Sequence, residues 1–246
     1  MRILLLNGNT DAAMTTRMAA LASQALPRLG LAHVRLSTAT ARFGARYIAS
    51  RSAAAIAGHA VLERVAEAAG QVDAIAIACF GDPALDAARE LSGLPVAGMA
   101  DASLRQALAA HRRVALLTGG AAWVPMLEEF SLSRGWPAER VLVRAVAPTG
   151  DMIAREPERA LSLLAEAATA ALAEGAEAVV LGGAGLAGLA PALQPLVDAP
   201  VLDSLDCLLR GAAGAIPTPP GPTPAALGRT PSSGLSEALA ARLALA

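Results

Sequence analysis

Asp73-Ala74-Ile75-Ala76-Ile77-Ala78-Cys79-Phe80-Gly81-Asp82-Pro83 is the stretch that decides the fold. A short unbroken run of Ala and Ile ends in a turn spelled by Gly, Asp and Pro. Such a run reads as a strand buried on both faces, the kind found in parallel sheets covered by helices. A helix beginning near Ala84 makes the segment a βα unit.

The same grammar extends in both directions. Upstream, a strand over Arg2 to Leu6 runs into Asn7-Gly8-Asn9-Thr10-Asp11 and a helix from about Ala12 to Ala25. A second strand is expected at His33 to Leu36, then an Arg-rich loop over Arg42 to Arg51 and an Ala-rich helix to about Ala69. Leu94 to Ala97 is a fourth strand. Downstream, Arg113 to Leu117 leads into Thr118-Gly119-Gly120 and a helix over Val124 to Arg134. Val141 to Val146, a helix over Pro157 to Glu174, Ala178 to Leu181 with its glycine-rich turn, and Pro200 to Leu202 complete the series.

Two halves repeat. Cys79, Gly81 and Leu85 share their spacing with Gly183, Gly185 and Leu189, and a Pro-Val pair follows each set, Pro95-Val96 and Pro200-Val201. An α/β fold of two pseudo-symmetric lobes is therefore expected, 1–100 and 101–210. Each is a short parallel sheet flanked by helices, the second closed in part by the first, with the site between them. Residues 211–246 read as a Pro/Gly-rich flexible tail with a terminal helix, Leu235 to Leu245, that either docks on a partner subunit or, more commonly for a chain end, frays.

Composition narrows the function. Of 246 residues 54% are apolar and 2% aromatic, and the net charge is −1, so there is neither a basic stripe nor a stacking surface for nucleic acid. The two cysteines and three histidines have no metal-ligand spacing, so no metal is expected. Ala178 to Val197 is uncharged, but its glycines and prolines suit a strand and turn better than a membrane helix. A soluble cytoplasmic protein with a small-molecule partner follows; the subunit count is not written here, although homo-oligomers are common for such architectures.

Cys79 sits where a strand hands over to a helix, a place that exposes a thiol to helix N-terminal amides and favours thiolate. The turns at Asn7 to Thr10, Thr118 to Gly120 and Gly183-Ala184-Gly185 offer amides and hydroxyls to carbonyl or carboxylate oxygens. Gly183 to Gly188 also spells GxGxxG, with Asp203 at ribose-binding distance, but it lies late in the second repeat, whereas a dinucleotide fingerprint opens its domain. A His partner for Cys79 stays open. Trp123 and Trp136 read as packing residues, Trp123 close enough to wall a pocket. Arg42, Arg46 and Arg51 suit an acidic substrate or, more often, a solvated face.

Asn7-Gly8-Asn9-Thr10, Ala78 to Leu85 and Leu181 to Leu189 resemble the hydantoin and allantoin racemase branch of the Asp/Glu racemase superfamily, over roughly residues 1–210. The resemblance implies two lobes, no cofactor, and two cysteines exchanging a substrate's α-proton from opposite faces. Cys79 matches the first cysteine. Asn9, Ile48, Phe80, Gly81, Thr118, Gly119, Gly183, Ala184 and Gly185 fall among the substrate-binding positions. The second cysteine falls at Gly183, and Gly8 stands where a proline is usual. Cys207 lies too far along its helix to substitute, leaving water or the Asp82 carboxyl to reprotonate that face. The resemblance thus implies an isomerase weakened by one missing thiol. The alternatives are a single-cysteine decarboxylase of substituted malonates or another lyase, and a non-catalytic binding protein.

Overall fold

The computed structural model describes residues 1–146, 155–216 and 232–245. The first half runs β1 (Arg2–Asn7), α1 (Ala12–Arg28), β2 (Arg35–Thr40), α2 (Arg51–Glu67), β3 (Ala74–Ile77), α3 (Leu85–Ser92), β4 (Val96–Gly98) and α4 (Met99–Ala110). The second runs β5 (Val114–Gly119), α5 (Trp123–Ser133), β6 (Val141–Val146), α6 (Pro157–Ala173), β7 (Ala178–Gly182), α7 (Ala190–Leu193), β8 (Val201–Asp203) and α8 (Ser204–Ala212). A final helix, α9 (Glu237–Leu245), follows.

Two four-stranded sheets form, in the orders β2-β1-β3-β4 and β6-β5-β7-β8, and every pairing is parallel. The matching orders are the structural form of the sequence repeat. In the central strands Ile3, Leu5, Ile75, Ile77, Leu116, Val180 and Leu181 are buried. Aliphatic side chains on both faces explain why these strands read as continuous apolar runs.

The helices that follow the last strand of each half are exchanged. α4 packs on β7 and β5 of the second sheet, whereas α8 packs on β3 and β4 of the first. Gly211 lets α8 approach closely, since a β-carbon there would stand 3.1 Å from Ala102 Cβ and 3.2 Å from Ala97 Cβ. Each sheet is thus covered by a helix belonging to the other half.

Two expectations change. β2 lies at Arg35–Thr40 rather than His33 to Leu36: it is an edge strand, mostly exposed and rich in Ser and Thr, so its apolar signal marks only its approach. The terminal helix docks on its own chain instead of fraying. α9 packs on α2, Leu239 is buried, and the Ser236 hydroxyl and N–H both donate to the Glu63 carboxylate. Residues 217–231 of the expected flexible tail lie outside the described residues. The uncharged stretch from Ala178 is β7, a turn and α7; no described helix is long and apolar enough to cross a membrane.

Candidate active site

The carboxyl ends of β1, β3, β5 and β7 converge, as expected for ligand sites in open α/β sheets. After β1, buried Asn7 organises the turn. Its Nδ2 donates to Asn9 Oδ1 at 2.8 Å, to the Asp11 carbonyl at 3.1 Å and to Thr15 Oγ1 at 3.0 Å. Asn9 Oδ1 also accepts the Asp11 N–H at 2.9 Å. The oxygen of Asn9 is therefore spent locally, while its Nδ2 has no partner among the described residues. A β-carbon on Gly8 would stand 3.6 Å from Cys79 Cβ and 3.2 Å from Pro83, so the asparagine turn lies directly beside the cysteine turn.

Cys79 itself is 8% exposed. Burial pushes its thiol up to about 12, and the nearby Asp82 carboxylate adds to the rise. The expected thiolate is not formed: removal from water outweighs the amide field of α3, which begins six residues later. Asp82 is turned away as well. Its oxygens accept the Ala100 and Asp101 N–H groups at 2.9 and 2.7 Å, capping α4 with a carboxylate that burial raises to about 7. Only a glycine fits at position 98, because a β-carbon there would collide with that carboxylate. Asp82 is thereby committed to a helix cap rather than to reprotonating substrate.

The second half closes over this turn. Phe80 lies against Gly182, where a β-carbon would stand 2.6 Å from Cε1, and Thr118 is the register partner of Gly182. Arg17 on α1 donates to the carbonyls of Ala184, Gly185 and Ala187 at 3.3–3.4 Å, fixing the glycine-rich turn to the first half. Tyr47 donates its hydroxyl to the Gly119 carbonyl at 2.9 Å, and Arg51 pairs with Glu129 on α5. The loop over 41–50 thus bridges both halves.

Comparison with known proteins agrees with this arrangement. Residues 3–212 match the family described as Asp/Glu/Hydantoin racemase. The chain belongs to the Asp/Glu/hydantoin racemase family. A hydantoin racemase of Rhizobium meliloti is 35% identical over 211 residues, covering 85% of this chain and 86% of the relative. The allantoin racemase of Klebsiella pneumoniae superposes with a TM-score of 0.78 at 28% identity, over 98% of this chain and 93% of that one. That of Pseudomonas fluorescens superposes with a TM-score of 0.79 at 25% identity, over 88% and 91%.

Within this racemase fold the strand ladders fix which residues are equivalent. The Asp73 N–H donates to the Arg2 carbonyl as the Glu177 N–H does to that of Arg113, and Ile75 to Pro95 as Val179 to Pro200. Asp73 and Glu177 stand as far apart in sequence as Ile75 and Val179, and as Cys79 and Gly183. Gly183 therefore occupies the place that Cys79 holds in the first half. Its φ is +123°, and no atom lies within 4 Å of where a β-carbon would sit, so the space at that position is open. Cys207 does not enter it: it is buried beside Ala102 and Ile216.

Ile48 is buried in the same apolar cluster as Cys79 and Phe80. Other candidates do not join the site. His59 lies 3.2 Å from Glu63 and edge-on to Phe43, so it is not oriented by Cys79. Arg42, Arg46 and Arg51 each face their own carboxylate, on Glu67, Asp11 and Glu129, rather than awaiting an acidic substrate. Asp203 accepts the N–H groups of Gly188 and Leu205 at 2.6 and 3.0 Å, which removes it as a ribose ligand. Sequence reasoning missed Arg17 and Tyr47. The only sequence trace of either is an isolated Arg on an amphipathic helix and a lone Tyr in an Arg-rich loop.

Proposed function

We propose that this chain is a cofactor-independent racemase that exchanges the proton α to a carbonyl in an amino-acid derivative of the hydantoin type, with Cys79 as the acid/base. The observation that carries this reading is the placement of Cys79 at a strand-end turn enclosed by both halves, in a chain 35% identical to a hydantoin racemase. The unpaired Nδ2 of Asn9 and the turn after Thr118 supply neutral donors for a substrate carbonyl. Charge developing on that oxygen is stabilised by such fixed dipoles once water is excluded.

The raised thiol sets its role. A buried thiol near 12 rests protonated at neutral pH and is a donor in the free protein. Its thiolate, once formed in the closed site, is a strong base suited to a weak carbon acid. The test is α-proton exchange in D₂O, followed by NMR over enantiopure 5-substituted hydantoins and amino acids, with Cys79→Ser as the control. Exchange with loss of chirality, abolished in the control, is the expected result. No exchange on any of these substrates would sink the reading.

One observation favours a second reading. Gly183 offers no thiol opposite Cys79, and a protonated Cys79 suffices to protonate an enediolate left by CO₂ loss. A decarboxylase of substituted malonates needs only that one acid. CO₂ release from such malonates, lost in Cys79→Ser, is the outcome that would replace racemisation by this chemistry.

A further inference from the structure

Outside the Cys79 region a separate cavity of about 420 Å³ opens beside the outer face of α4, lined by Arg105, Gln106, Leu108, Trp136, Arg140 and Ile216, among others. Two features of its wall point to a ligand. The Arg105 guanidinium lies 5.5 Å from the centre of the Trp136 ring; its Nε is held by Asp101 at 3.0 Å, and its two terminal nitrogens have no partner among the described residues. Arg140 donates only to backbone carbonyls, those of Arg112 at 3.0 Å, Leu108 at 3.2 Å and His111 at 3.3 Å. No carboxylate among the described residues balances its charge.

A guanidinium fixed by three carbonyls is oriented without being neutralised. Such a group, beside a second guanidinium with free N–H donors, favours a carboxylate or similar anion. The indole and the side chains of Leu108 and Ile216 supply a flat apolar wall on which a ring can lie. We propose that this cavity is a second binding site, distinct from the Cys79 site, for a small aromatic carboxylate. The carboxylate meets Arg140 and Arg105, and the ring rests against Trp136.

The experiment is calorimetric titration of the full chain with two probes, benzoate and the uncharged benzamide. One equivalent of benzoate is expected to bind, and benzamide at least about tenfold more weakly, the loss of one charge-assisted contact. Cys79→Ser should bind benzoate as the unaltered chain does, and Arg140→Gln about tenfold more weakly. The Trp136 indole N–H signal should shift on binding, a readout available even where Arg140→Gln does not fold. Benzamide binding as well as benzoate, displacement of benzoate by the Cys79→Ser change, or a Trp136 signal that stays still at saturation would each overturn the proposal. So would an absence of benzoate binding. None of these outcomes depends on whether the protein racemises hydantoins.

Discussion

The indole of Trp123, at the start of α5, lies over Gly81 so closely that a β-carbon on Gly81 would stand 2.5 Å from Cζ3. Gly81 also has φ +115°, a conformation L side chains rarely adopt. One glycine thus satisfies the cysteine turn and the cover that the other half places on it. Phe80 against Gly182 is the reciprocal contact, an aromatic of the first half on a glycine of the second. The cysteine turn is thus tightly packed between the halves, and burial there, with the Asp82 carboxylate, raises the Cys79 thiol.

Gly81→Ala is expected to cost about 2–4 kcal/mol, the sum of a strained backbone and an overpacked ring. Gly185→Ala is the matched control, because no atom lies within 4 Å of its β-carbon position, its φ is not positive, and its carbonyl, which accepts from Arg17, is kept; its cost should stay within about 0.5 kcal/mol. Urea unfolding of the two variants compares them directly. Equal costs would show that the Trp123 cover does not constrain the turn.

The thiol's elevation makes a prediction about pH. Below its pKa the thiolate fraction of Cys79 grows about tenfold per pH unit. Alkylation of Cys79 should therefore climb steadily through pH 8 to 11, with no plateau near the ordinary value of 9. The linkage has a definite sign. The folded state holds this proton more tightly than the unfolded one, so the stability it contributes is complete below pH 9 and is lost as pH rises towards about 12. A rate that levels off above about pH 9 would mean that the thiol is exposed.

Asp82 titrates lower. Burial raises its carboxyl from 3.8 to about 7 even though two α4 N–H groups oppose the rise. Its contribution to stability is complete below pH 3.8 and is lost as pH climbs through 7. Asp82→Asn cannot ionise, so its stability relative to the unaltered chain should improve between pH 4 and 7 whatever the absolute offset. Thermal unfolding of both proteins across that range checks it; a constant difference would place the carboxylate's pKa outside the window.

Much of this was legible in the sequence for a physical reason. Buried parallel strands such as Ala74 to Ile77 carry their signature in consecutive residues, and the repeated Pro-Val pairs marked the second sheet. What the sequence could not carry is non-local. The exchange of α4 and α8 between sheets, the docking of α9 on α2, and the Arg17 clamp on Gly185 all join residues far apart in the chain. The thiolate expectation failed for the same reason. Position at a strand end argues for an exposed Cys79, but the thiol is buried in a turn whose neighbours Phe80 and Gly81 pack against the opposite half.

Arg17→Leu tests that clamp. Removing four hydrogen bonds from a charged donor should destabilise the chain by about 1–3 kcal/mol and speed hydrogen exchange at the Leu186 and Leu189 amides, while Cys79 alkylation at fixed pH changes little. If exchange across that turn is unaltered, the turn holds itself and the clamp is incidental.

Gly183→Cys addresses the asymmetry between the halves. The ladder equivalence places this residue where the first half has Cys79, and the β-carbon would meet nothing within 4 Å, so a thiol has room. Its φ of +123° opposes any side chain, and the substitution should cost about 1–3 kcal/mol unless the turn relaxes. If the proposed chemistry is proton exchange limited by a missing donor on the second face, the added thiol should raise racemisation of a 5-substituted hydantoin by about 10²-fold, with Cys79→Ser abolishing the gain. A folded variant whose racemisation is unchanged would mean that another group or solvent already serves that face, and that Gly183 is retained for its backbone alone.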